Sequence, residues 1–136
     1  MSGCSFCEIV AGRLPSYRVL EDEHTVAFLD IEPFAPGHTL VVPREHASDL
    51  WTISETVHAQ VALMTHRVAA LLRAALAPDG VNVLHSTGEA AGQEVFHFHA
   101  HVVPRRHDDE LRALWNSPPD AGRTLEQTLE LIAAAR

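Results

Sequence analysis

Apolar and polar positions alternate along this chain with two different periods, and the changes of period predict its elements. Between Ser54 and Leu76 the residues Val57, Val61, Met64, Val68, Leu71 and Leu72 recur at three-and-four spacing, which predicts one long amphipathic helix. Ser54 is a fitting N-cap, although Val57 stands where a capping box wants Glu. Pro78-Asp79-Gly80 breaks the helix. Elsewhere the runs are shorter and read as strands. Arg18–Glu21 and Thr25–Asp30 flank the polar turn Asp22-Glu23-His24. His38–Val42 is a third strand, ended by Pro43. Val81–Leu84 is a fourth and Val95–Val103 a fifth. Residues 5–12 predict a short helix with Phe6, Ile9 and Val10 on one side and Gly12 as its stop. Pro33, Pro36 and Gly37 force a loop, and Ser86–Gln93 is a run of small residues expected to be a flexible loop. Beyond Pro118-Pro119 a last helix is expected over Leu125–Ala134.

Strands, one long helix, then strands again predict an α+β domain. The short connections favour antiparallel pairing, in a sheet of about five strands. The helix stripe would pack on the sheet. A second apolar side on that helix would suit a dimer contact.

The chain has 136 residues, 46% of them hydrophobic, enough for one domain with a real core. Its formal charge of −8 argues against a non-specific grip on a nucleic-acid polymer, but not against a single bound nucleotide. No apolar run is long enough to span a bilayer, and Met1-Ser2-Gly3-Cys4 does not read as a secretory signal. A cytoplasmic location is the expectation.

The densest candidate chemistry is His97-Phe98-His99-Ala100-His101. On a strand the three imidazoles would project from one face, about 6.5–7 Å apart, with Phe96, Phe98, Ala100 and Val102 on the other. Such rings can serve as nucleophile, proton carriers or metal ligands near neutral pH. Buried without partners they would be costly. Cys4 and Cys7 are the only cysteines. Their spacing admits a redox pair, two plain small residues, or half of a zinc site.

Taken together, three separated segments carry a resemblance. They are Cys4-Ser5-Phe6-Cys7-Glu8-Ile9; Phe28-Leu29-Asp30-Ile31 followed by Pro36-Gly37-His38-Thr39-Leu40-Val41-Val42-Pro43 and His46; and Gly88, then Ala91-Gly92-Gln93, then His97, His99 and His101 with Val102-Val103-Pro104-Arg105. The chain resembles the histidine triad (HIT) proteins, in their branch of nucleotide hydrolases and phosphoramidases. The resemblance covers most of residues 4–106. It implies a HIT core over 1–106 and leaves 107–136 as an extension packing on the same domain.

The resemblance also implies roles. His99 would attack the α-phosphorus of a purine nucleotide and form a nucleotidyl-histidine that water resolves. His101 would bond the phosphate oxygens or the leaving group, and His38 would meet the bridging atom. Gly92, Gln93 and the amides of Glu94 and Val95 would line the phosphate, Asp30 would take the ribose hydroxyls, and Phe6, Ile9, Phe28 and Ile31 would form the purine slot. Cys4, Cys7, His46 and His97 would hold a structural zinc, and a homodimer with joined sheets is implied. No organic cofactor is. Two positions depart from the pattern: Ser86 stands near the place of a customary Asn, with shorter reach toward the sugar, and Glu94 replaces a customary Ser and should point away from phosphate. His24, His58, His66, His85 and His107 match no role and are expected to be solvated or locally bonded. Arg105, Arg106 and Trp115 could reach the leaving group, which separates a phosphoramidate from an aminoacyl adenylate or a dinucleoside polyphosphate. Two rival readings remain: a nucleotide sensor or scaffold with a vestigial triad, and a metallohydrolase binding one metal through His97, His99 and His101.

Overall fold

The computed structural model describes residues 3–110 and 122–136. Its elements are helix α1 (Ser5–Val10), strands β1 (Arg18–Glu21), β2 (Thr25–Leu29) and β3 (Thr39–Pro43), helix α2 (Glu55–Leu76), strands β4 (Gly80–Leu84) and β5 (Ala100–Arg105), and helix α3 (Leu125–Ala134). The five strands form one antiparallel sheet in the order β1-β2-β3-β5-β4. The expected α+β class, strand count and long helix are all present.

Strand alternation sorts two cores onto the two faces of the sheet. Ala27, Val41, Phe98, Ala100 and Val102 meet Val61, Met64, Val68 and Leu72 of α2. Their neighbours in sequence, Val26, Phe28, Leu40 and Val42, meet Phe6 of α1 on the other side. Of the predicted helix stripe, Leu71 departs: it is exposed, as is Leu63. Thr65 takes an inward place instead, its hydroxyl donating to the Val61 carbonyl at 2.7 Å. Ser54 caps α2 as expected, accepting from the Val57 amide.

The fifth strand is shifted. The apolar run predicted Val95–Val103, but regular pairing spans Ala100–Arg105. The ladder with β3 stops at Val41↔Ala100 because β3 ends in Pro43, which has no N–H to donate. The Pro43 carbonyl is taken by the His97 side chain (2.8 Å), and the Phe98 amide turns to Ala47 O (2.6 Å). His97 and His99 therefore sit on a bent approach to the strand, while His101 is on it. At the other end Pro104 pairs with Val81 past the last β3 partner, so the strand runs on to Arg105.

Gly37 holds the loop before β3. Its φ of +94° lies in the left-handed region, and an added Cβ would stand 2.5 Å from Leu76 Cδ1 and 3.2 Å from Pro104 Cγ. Residues 105–109 are pinned to the α2–β4 corner: Arg105 pairs with Asp109, Arg106 donates to Leu76 O, and the His107 amide donates to Asp79. α3 carries a capping box on Thr124 and Gln127 and buries none of its residues. The Pro118-Pro119 connection and Trp115 lie outside the described residues. Among the described residues, no helix is long and apolar enough to cross a membrane.

Candidate active site and metal cluster

The bent approach to β5 puts His97 and His99 at the N-terminal end of that strand. β3 and its preceding loop bring His38 and Asp30 beside them. The ring nitrogens can be assigned from what each one faces. His99 Nδ1 lies 2.7 Å from the His97 carbonyl, which only accepts, so Nδ1 carries the hydrogen and Nε2 keeps its lone pair. His97 Nε2 donates to Pro43 O, which frees its Nδ1. His38 Nδ1 accepts from the Phe34 amide at 3.1 Å, so its Nε2 carries the hydrogen and donates to His101 Nδ1 at 2.9 Å. His101 is left with Nε2–H pointing onward.

Burial keeps these rings neutral. It is the largest cause that pushes His101 down to about 4, with His99 and His38 adding to it. Burial likewise lowers His99 and His38, opposed at His38 by the Asp30 carboxylate 3.6 Å away. At pH 7 the site therefore holds an unprotonated nucleophilic nitrogen at His99 and N–H donors at His38 and His101. Phe6 packs edge-on against the His99 ring with centroids 5.2 Å apart, and Phe34 stacks on His38 at 5.0 Å.

The expected site residues divide. Phe6, Phe28, Ile9 and Val95 pack into one cluster beside His99, whereas Ile31 is 82% exposed and stands apart from it. One oxygen of Asp30 accepts from the Glu32 amide (2.9 Å), and the other faces His38. Ser86 is half-buried, and Glu94 is exposed. Gly92 has φ +96°, with nothing within 4 Å of an added Cβ, so the backbone conformation calls for glycine there and protein crowding does not. Gln93, expected at the phosphate, is buried. Its Nε2 donates to Ser48 O (2.7 Å) and Val95 O (3.1 Å), and its Oε1 accepts from the Gly88 amide (2.8 Å). The loop it holds contains a 3-10 turn at Glu89–Ala91, more ordered than its small residues predicted. Phe34 escaped the sequence reading, and His85, expected only to be solvated or locally bonded, is bonded to the His99 carbonyl and Thr87. An aromatic in a proline-bounded loop and an imidazole at a strand end carry no signal of the partner they find.

Cys4, Cys7, His46 and His97 converge at the base of the site. His97 Nδ1 lies 3.4 Å from each sulfur and 3.2 Å from His46 Nδ1, and Cys7 Sγ is 3.3 Å from His46 Nδ1. A tetrahedral zinc ion with bonds of about 2.0–2.3 Å sets its ligand atoms about 3.3–3.8 Å apart, so the cluster fits that ion. Burial and the Cys4 thiol push the Cys7 thiol up, a conflict that a shared cation removes. The rival metallohydrolase arrangement does not form, because the free Nδ1 of His97 faces the cysteines while His99 and His101 present theirs to a carbonyl and to His38. Asp30, His38 and His101 also lie close together, but the Phe34 amide on His38 Nδ1 fixes the hydrogen on the nitrogen a metal would need.

A family model, the HIT domain, matches residues 11–108. The chain belongs to the HIT domain family. Its relative in Bacillus subtilis, Protein hit, is 41% identical over 118 residues, covering 86% of this chain and 81% of the relative. Two solved HIT structures align closely. A zinc-bound histidine triad family protein from Mycobacterium smegmatis is 41% identical, covers 98% of both chains and superposes with a TM-score of 0.78. A histidine triad nucleotide-binding protein from Candida albicans is 28% identical, covers 98% of this chain and 94% of its own, and gives a TM-score of 0.83.

Proposed function

We propose that this HIT protein cleaves the bond at the α-phosphate of a purine nucleotide, a phosphoramidate or dinucleoside polyphosphate, through a nucleotidyl-His99 intermediate. The observation that carries the reading is the hydrogen bond from His99 Nδ1 to the His97 carbonyl, which leaves Nε2 unprotonated in a buried neutral ring. In the first step the Nε2 lone pair forms a bond to phosphorus, and the bond to the leaving group breaks. His101 Nε2–H donates a hydrogen bond to the departing atom, which takes its proton from solvent, and the water that resolves the adduct returns a proton to solvent. His38 holds His101 in the required tautomer through its own Nε2–H. Asp30 takes the ribose, the Phe6–Phe28 cluster lies against the base, and Gln93 holds the phosphate loop in shape. Ser86, Gly92, Glu94 and Val95 line that loop, and the exposed Ile31 would meet the base from outside the Phe6–Phe28 cluster.

Cys4, Cys7, His46 and His97 would hold zinc with four protein ligands. That closed sphere makes the metal a structural tie between the N-terminus and the catalytic segment. A homodimer is part of the same reading. Edge strand β4 exposes Val81 and Val83, and Val83 lines a cleft of about 390 Å³ together with Val61, Ala62 and Phe98. The C-terminal extension would reach the leaving group.

The test is a panel of purine nucleoside phosphoramidates and dinucleoside polyphosphates. His99→Ala should abolish turnover of every member while nucleoside monophosphate still binds. Turnover retained by the variant contradicts the covalent route.

A further inference from the structure

His85, at the end of β4, is tied directly to the nucleophile's backbone. The β4–β5 ladder closes at Leu84↔His101, so the strand partner of the next carbonyl inward, that of His99, is missing. The His85 side chain fills this gap: its Nδ1 lies 2.8 Å from His99 O. A carbonyl only accepts, so Nδ1 carries the hydrogen and Nε2 must accept. Nε2 does so from the Thr87 hydroxyl, and Thr87 Oγ1 in turn accepts from the Leu50 amide at 3.0 Å. Every donor in this chain of bonds points the same way, with no tautomer left free. The ring is also fixed from above, stacked on Phe98 with centroids 4.2 Å apart and planes at 27°.

Two carbonyl contacts thus define the nucleophile. His97 O orients the ring of His99, and His85 anchors the peptide that carries it. Thr87 sits in the loop closed by Gln93, the loop that receives phosphate in the function proposed above. We propose that His85 is a positioning residue that couples the phosphate loop, through Thr87, to the aim of His99 at phosphorus. The inference rests on that function. A bare packing role would need only the ring on Phe98, whereas coupling needs both nitrogens.

The experiment measures the single-turnover rate of adduct formation on His99 with a purine nucleoside phosphoramidate, beside the nucleoside monophosphate Kd and the melting temperature. His85→Phe keeps a stacked ring and loses both hydrogen bonds. Thr87→Val keeps the shape and loses the hydroxyl. Each should slow adduct formation about 10-fold, the rate equivalent of one hydrogen bond. The Kd should stay within about twofold, and the double variant should be no slower than either single one. His85→Asn, whose Nδ2 can donate to His99 O while its Oδ1 accepts from the Thr87 hydroxyl, should recover most of the rate. Adduct formation at the wild-type rate in His85→Phe, or losses that multiply in the double variant, overturn the inference alone; no adduct in the wild type overturns the proposed function with it. Long-range proton–nitrogen NMR of the wild-type protein adds a readout that needs no turnover. Hydrogen on His85 Nδ1 is expected, and hydrogen on Nε2 instead overturns the coupling.

Discussion

At the scale of single residues, the chemistry is decided by which ring nitrogen carries a hydrogen. Each of the key imidazoles faces a partner that admits one answer: a carbonyl for His97 and His99, a backbone amide for His38. Burial then keeps the rings neutral, and that has a cost in acid. His101 is held at about 4, whereas an unfolded histidine titrates near ~6.5. Between those values the unfolded chain binds the additional proton, so stability rises with pH across this window and is lost as pH falls through it. Thermal unfolding should show wild type losing more stability from pH 7 to pH 5 than His101→Gln. Equal losses would mean that His101 is not held neutral by the fold. The alternating histidines and the HIT motif residues were legible in the sequence because side-chain identity and spacing are enough to see them. The acceptor for His99 Nδ1 was not, because a backbone carbonyl has no residue signature. The carbonyl partner of His85 stayed hidden for the same reason.

At the scale of elements, period alone located α2 and the first four strands to within about a residue or two. It misplaced β5, since Val95, Phe96 and Phe98 look like strand residues whether or not a ladder forms. What decided the boundary was Pro43 on the neighbouring strand and the Ala47 carbonyl on the Phe98 amide. Two substitutions test the packing that holds the site. Met64→Ala empties a buried position between α2 and the sheet and should cost about 2–5 kcal/mol in chemical denaturation. A loss under about 1 kcal/mol would mean that the two layers are not packed as described. Gly37→Ala should cost about 1–2 kcal/mol from its positive φ, with Leu76 able to swing aside at a half-exposed position. A neutral result would place Gly37 in an ordinary conformation.

At the scale of the whole molecule, the four-residue cluster joins segments 90 positions apart: Cys7 and His97 meet at 3.4 Å. On the proposed reading a metal there would stabilise the fold by closing a long loop and would stay outside the bond-breaking step. Metal analysis should find about one zinc per chain, and chelation should lower the melting temperature. Below that new melting temperature the chelated protein should still turn over nucleotide; immediate loss of activity with the fold intact would make the metal catalytic. The cysteine pair alone left several readings open in the sequence, and only the resemblance joined it to His46 and His97. The extension beyond residue 106 lies outside the resemblance, yet its last helix was legible over Leu125–Ala134, where α3 lies fully exposed.

The most direct measurement is to mix the protein with a purine nucleoside phosphoramidate, quench into base within one turnover, and map the modified peptide by mass spectrometry. The account predicts a nucleoside monophosphate group bound through nitrogen to His99, at a level that rises and falls as substrate is consumed. Turnover with no adduct, or an adduct on His101 or His38 in place of His99, would contradict it.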